Sequence, residues 1–108
     1  MGMTMKASYG TYEDVVLRVS KYMADESIAV MAENQQDGPI ATITVCLCDK
    51  SLGENEAYID TNNCPWAMDF IKEYKLGTPT GRTGRSGFCE YPVVKFDTLQ
   101  LKLYGMEE

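Results

Sequence analysis

Between residues 62 and 92 the chain gathers most of its residue types suited to chemistry. Within that stretch Thr80-Gly81-Arg82-Thr83-Gly84-Arg85-Ser86-Gly87 repeats a Gly-Arg step at an interval of three. Glycine permits positive φ and close backbone approach, and such backbones form concave N–H nests for anions. Guanidinium forks from Arg82 and Arg85 would grip a phosphate or carboxylate in bidentate fashion. The chemistry expected is capture of a small anionic ligand. The run has no Gly-Lys-Ser/Thr of a P-loop, and it does not open a helix after a strand as a dinucleotide fingerprint does. The alternative is architectural: a crossover from helix to strand that needs glycine for its geometry, its arginines paired with acids of the sheet.

Cys64 precedes a predicted helix, where a thiol pKa is lowered and thiolate becomes available. A nucleophilic cysteine needs a base within reach, and the chain contains no histidine. Packing at the helix start is its expected role. Trp66, the single tryptophan, falls on the apolar stripe of that helix; a ring partly exposed beside Arg82 or Arg85 would instead be a binding platform. Asn62, Asn63 and Trp66 therefore join Arg82 and Arg85 as the candidate ligand- or partner-binding residues. No carboxylate pair with hydrolase spacing and no EF-hand pattern is present. Cysteines stand at 46, 48, 64 and 89, one C-x-C and two isolated, which is not the paired spacing of structural zinc. Reduced thiols, no metal, no cofactor and no enzymatic activity are expected.

These residues must be held by strands, turns and one helix. Val15, Leu17 and Val19 alternate with Val16, Arg18 and Ser20, so 14–23 reads as a half-buried strand. Asp25-Glu26-Ser27 turns it into a second strand over 28–32. After the turn 34–39, residues 40–48 read as the clearest strand, with Ile43, Val45 and Leu47 on one side and Thr42, Thr44, Cys46 and Cys48 on the other, Cys46 and Cys48 as buried thiols. A fourth strand follows over 56–61, and the four form an antiparallel meander. Trp66, Ala67, Phe70, Ile71 and Tyr74 share one stripe of a 3.6-residue period, which predicts an amphipathic helix. Pro65 suits its first turn, Asn62 or Asn63 its cap, and Gly77 a left-handed stop. A glycine-rich loop is expected over 78–87 and a strand over 88–96, where Pro92 signals an edge or bulge. Leu99, Leu101 and Leu103 suggest a last short strand. The fold class expected is α+β: a mainly antiparallel sheet of five to six strands with one helix on one face. The stretch to about Tyr12 is expected to fray, and 105–108 to form a loose acidic tail.

A chain of 108 residues suits one domain with one core. No apolar run reaches the roughly 18 residues of a membrane span, and the opening lacks the apolar core of a secretory signal. A cytoplasmic location is expected, with no membrane partner. The net charge is −6. Through Asp60 four basic residues face ten acids, whereas the remainder balances six against six. Such a surface repels phosphate backbones, so direct nucleic-acid binding is disfavoured. It serves as a solubilising face or, on the sharper reading, as a nucleic-acid mimic built on Glu54, Glu56 and Asp60.

The segments Asp60-Thr61-Asn62-Asn63-Cys64-Pro65-Trp66, Leu76-Gly77-Thr78-Pro79-Thr80-Gly81-Arg82 and Gly84-Arg85-Ser86-Gly87-Phe88-Cys89-Glu90-Tyr91-Pro92 carry a resemblance. Across about 53–101 the chain resembles small domain-of-unknown-function proteins carried on conjugative and other mobile elements of gut Firmicutes. The resemblance implies a bacterial cytoplasmic accessory protein and brings no activity with it. The function expected is a non-catalytic interaction module that binds another protein.

Overall fold

Period-two alternation builds the first sheet. The computed structural model describes residues 2–47 and 52–105. Strands β1 (Met3–Ala7), β2 (Gly10–Lys21), β3 (Ile28–Asn34) and β4 (Gly38–Thr42) pair antiparallel in chain order. Val15 and Leu17 are buried with Val30 and Ala32, while Arg18 lies outward, 3.0 Å from Glu33. Asp25 accepts from the Ser27 amide and hydroxyl, and Glu26 takes a φ of 61°, which closes the hairpin between β2 and β3. The N-terminal stretch, expected to fray, contains strand β1. Met3 and Met5 are fully buried, each worth about 1.5–3 kcal/mol, and they hold β1 in place. A bulge hides this in the sequence: Met3 faces Val15 but Met5 faces Tyr12, so β2 carries an extra residue there, with Asp14 at φ 55°.

A single sheet of five to six strands is not what forms. Among the described residues there are two sheets of four strands each, and two short helices. The second sheet runs β5 (Thr44–Val45), β6 (Glu56–Ile59), β8 (Cys89–Phe96), β7 (Gly77–Ser86), all antiparallel. The division falls inside the run 40–48, which bends at Ile43. Its amide donates to the Val30 carbonyl at 3.0 Å, and its carbonyl accepts from the Asp60 amide at 2.9 Å. Ile43 and Thr44 are both buried at this crossing. The Thr44 hydroxyl is satisfied by the Val30 amide at 3.1 Å and the Tyr22 hydroxyl at 3.0 Å. The chain thus passes from one sheet to the other, and β6 pairs with β5 and β8, not with β4. Cys46 is only half-buried, and Cys48 lies outside the described residues.

Helix α1 (Ala67–Glu73) buries Ala67, Phe70 and Ile71. Its cap is not an asparagine side chain: Trp66 occupies the cap position with no side-chain bond. Nor does Gly77 stop it in a left-handed conformation; Lys75 does, at φ 56°. The last leucines form helix α2 (Thr98–Leu103), not a strand. Leucine, glutamine and lysine favour helix, and Asp97 caps it by accepting from the Leu99 and Gln100 amides. Only Leu101 is buried in it.

One core joins both sheets and both helices through Met5, Leu17, Ile43, Ile59, Phe70, Phe96 and Leu101. Six rings line its edge: Tyr12, Tyr9, Trp66, Phe70, Tyr74 and Tyr104 meet edge-on at centroid distances of 5.4–6.4 Å. The outward face of the second sheet carries a smaller cluster of Tyr58, Tyr91 and Val93. Among the described residues no helix is long and apolar enough to cross a membrane.

Candidate functional site

The run 78–87, expected to be a loop, lies almost wholly in strand β7, paired to β8 from Gly77 opposite Phe96 to Ser86 opposite Cys89. Its glycines misled because they answer packing demands. A β-carbon on Gly84 would lie 2.6 Å from Cζ of Tyr58, so the aromatic ring of β6 covers that position. At the register shift, Thr80, Gly81 and Arg82 lie opposite Val93 alone, and Gly81 makes the bend at φ 87°. The Thr80 hydroxyl donates to the Val93 carbonyl at 3.2 Å and accepts from the Arg82 amide at 3.1 Å, replacing ladder bonds lost there. Pro92 stands beside this bulge, one residue beyond the last β6 partner Val93, so its missing N–H is not needed on that side. It is in a central strand, and the bulge explains it. Gly77, too, is fixed by close approach, since a β-carbon there would meet the Lys95 carbonyl at 2.7 Å.

Arg82 bonds Glu56 through Nη1 at 3.0 Å. The same Glu56 oxygen accepts from the Gly53 amide at 2.8 Å, which ties the strand turn to the arginine. Beyond the bulge, Gly84 faces Tyr58 on the side of the sheet that also carries Glu56, so its neighbour Arg85 faces the opposite side. It sits opposite Glu90, whose Oε2 accepts from the Thr83 hydroxyl at 2.8 Å. The two guanidiniums therefore do not converge on one point.

The remaining candidates sit elsewhere. Asn62 and Asn63 are exposed in the turn before α1, and Asp60 receives the Asn63 amide at 3.2 Å and its side-chain NH₂ at 3.0 Å. Trp66 belongs to the main core, 8% exposed, with Tyr9 and Phe70 edge-on at 6.4 Å and its indole N–H unpaired. Arg82 and Glu56 share the outward side of the second sheet, so Trp66 is no platform for them. At Cys64 the expected lowering is reversed: burial, and then the Asp60 carboxylate, raise its pKa. The thiol reaches toward the Thr42 carbonyl at 3.8 Å and acts as packing. Cys46, Cys64 and Cys89 are thiols outside any disulfide, and no group of potential metal ligands assembles among the described residues. A surface hollow at the β2 bulge is lined by Glu13, Asp14, Val16, Asn34, Gln35 and Gln36, none of them a candidate.

Sequence reasoning missed Phe88. It stands at the tip of the β7–β8 hairpin, 106% exposed, beyond Gly87 at φ 63°. The signal was present: Ser86-Gly87-Phe88 is a short turn between two segments that can pair.

These features define a small two-sheet α+β protein whose second sheet ends in an exposed, arginine-bearing hairpin. The chain belongs to the family described as Domain of unknown function (DUF4313), whose model matches residues 16–108. No curated protein matches the chain, and no solved structure does. The matched span opens just past the Asp14 bulge, so β1 and its two buried methionines precede it.

Proposed function

We propose that this protein is a non-catalytic interaction module that binds another protein through the far end of the β7–β8 hairpin. The observation that carries the reading is Phe88, wholly exposed on a two-stranded tip. Burying a phenylalanine is worth about 1.5–3 kcal/mol, and this fold leaves that gain unused. Arginine and aromatic side chains dominate binding energy at protein interfaces, and Arg85 stands three residues away. A small anionic ligand at 80–87 is less well supported, because Arg82 is already paired with Glu56. The nucleic-acid mimic is less well supported for a similar reason: Glu56 and Asp60, two of its three acids, hold internal bonds. The setting we infer is the bacterial cytoplasm, as an accessory protein of a mobile element; the resemblance carried by 60–66 and 76–92 supports it.

The test is a photo-crosslinking residue placed at Phe88 and, as a control, at exposed Gln35 in living cells. A discrete protein adduct is expected from position 88 and not from 35, and Arg85→Glu should remove it. Equal adducts from both positions, or an adduct indifferent to Arg85→Glu, would contradict the reading.

A further inference from the structure

We infer that the outer edge of β7 accepts an acidic extended segment of the partner protein as an added strand, an inference that rests on the hairpin being the interaction element. β7 is the last strand of its sheet, so those backbone groups of 83–86 that do not bond to β8 point away from it. The other edges are closed or short. On β1, Tyr74 Oη accepts from the Thr4 amide at 2.8 Å and donates to the Thr4 carbonyl at 3.3 Å. Past the end of β1, the Tyr104 carbonyl accepts from the Leu17 amide of β2 at 2.9 Å. β4 contains Pro39, which has no N–H to offer and leaves only three residues beyond it, and β5 has only two residues; the proline of β7, Pro79, lies ahead of its bulge. By contrast, β7 keeps regular register with β8 over the four consecutive residues 83–86.

Side chains select the partner. Between 78 and 88 the chain carries no acid, and of its two cations Arg82 is paired with Glu56, whereas the cross-strand neighbour of Arg85, Glu90, bonds the Thr83 hydroxyl instead. Among the described residues no carboxylate stands within ion-pair distance of Arg85. Residues 83–86 of the edge are threonine, glycine, arginine and serine, so an apolar strand would gain little there. Main-chain hydrogen bonds joined to carboxylates facing Arg85 match it, with Phe88 as an anchor beyond the strand end. A second copy fits poorly. Two-fold antiparallel pairing of β7 with itself brings the arginines of both copies into the same few positions, where like charges repel.

The test uses the whole chain and four labelled heptapeptides: alternating glutamate and valine, alternating lysine and valine, and the acidic one with N-methyl groups on alternate amides in each of the two phases. Fluorescence anisotropy at low salt should show the acidic peptide binding, with the lysine peptide and the N-methyl phase whose blocked amides face β7 weaker by about tenfold or more. Arg85→Glu should weaken the acidic peptide by about tenfold, Arg85→Lys by less, and the exposed α1 control Lys72→Glu not at all. No binding of the acidic peptide, equal binding of the lysine or both N-methyl peptides, or indifference to Arg85→Glu overturns the inference. So does Arg85-dependent self-association in sedimentation. An adduct at Phe88 in cells alongside no peptide binding would overturn strand addition alone and leave the hairpin reading standing.

Discussion

Gly84 and Tyr58 are a pair: the ring lies where an alanine methyl would have to go. Gly84→Ala should cost about 1–3 kcal/mol by overpacking, read from urea unfolding. With Tyr58→Leu in the background that cost should shrink, because the two changes share one contact. Additive costs would place the ring elsewhere. Cys64 and Tyr22 supply a pH signature. Burial is the leading cause that raises both pKa values, so the unfolded chain loses these protons first. Their contribution to stability is present below the ordinary thiol value of about 8.5 and is lost as pH rises through the folded values. Denaturation midpoints should therefore fall on moving into that alkaline range, and less steeply for Cys64→Ala. A native chain should also alkylate more slowly at Cys64 than at half-buried Cys89. At this scale the sequence disclosed residue types but not their neighbours: no spacing rule places a β6 tyrosine over a β7 glycine.

Elements with their own local code were legible, and those defined by long-range pairing were not. The five-residue stripe from Trp66 to Tyr74 predicted α1 because helical periodicity is internal to the segment. The hairpin of β2 and β3 was likewise readable from alternation and a polar turn. β7 was not, since its glycines are required by Tyr58 and the bulge, features of other strands. α2 was misread because three leucines at a spacing of two imitate a strand, although Leu99 and Leu103 stay 73% and 59% exposed. Asp97→Ala should cost about 0.5–2 kcal/mol and raise amide exchange through 98–103. Unchanged exchange there would mean the cap is idle. Tyr74→Phe removes the bonds to Thr4 and should cost about 1 kcal/mol, with faster exchange of the Thr4 amide.

The whole molecule is two sheets sharing one core, with the strand that crosses between them pinned at Ile43 by both. That arrangement places the apolar residues inward and along the ring row, and it leaves β7 as an edge strand that leads into the turn at Phe88. Arg82 braces the arm against Glu56, a half-exposed pair worth about 0–1 kcal/mol, so Arg82→Met should leave stability nearly unchanged while Arg85→Glu affects binding. The central claim is that β7 is a strand bonded on one side and open on the other. Residue-resolved amide exchange of the free chain by NMR tests it most directly. Along 83–86 slow and fast amides should alternate, the slow ones bonded to β8 and the fast ones facing solvent. Uniformly fast exchange would restore the loop, and uniformly slow exchange would show an edge already covered.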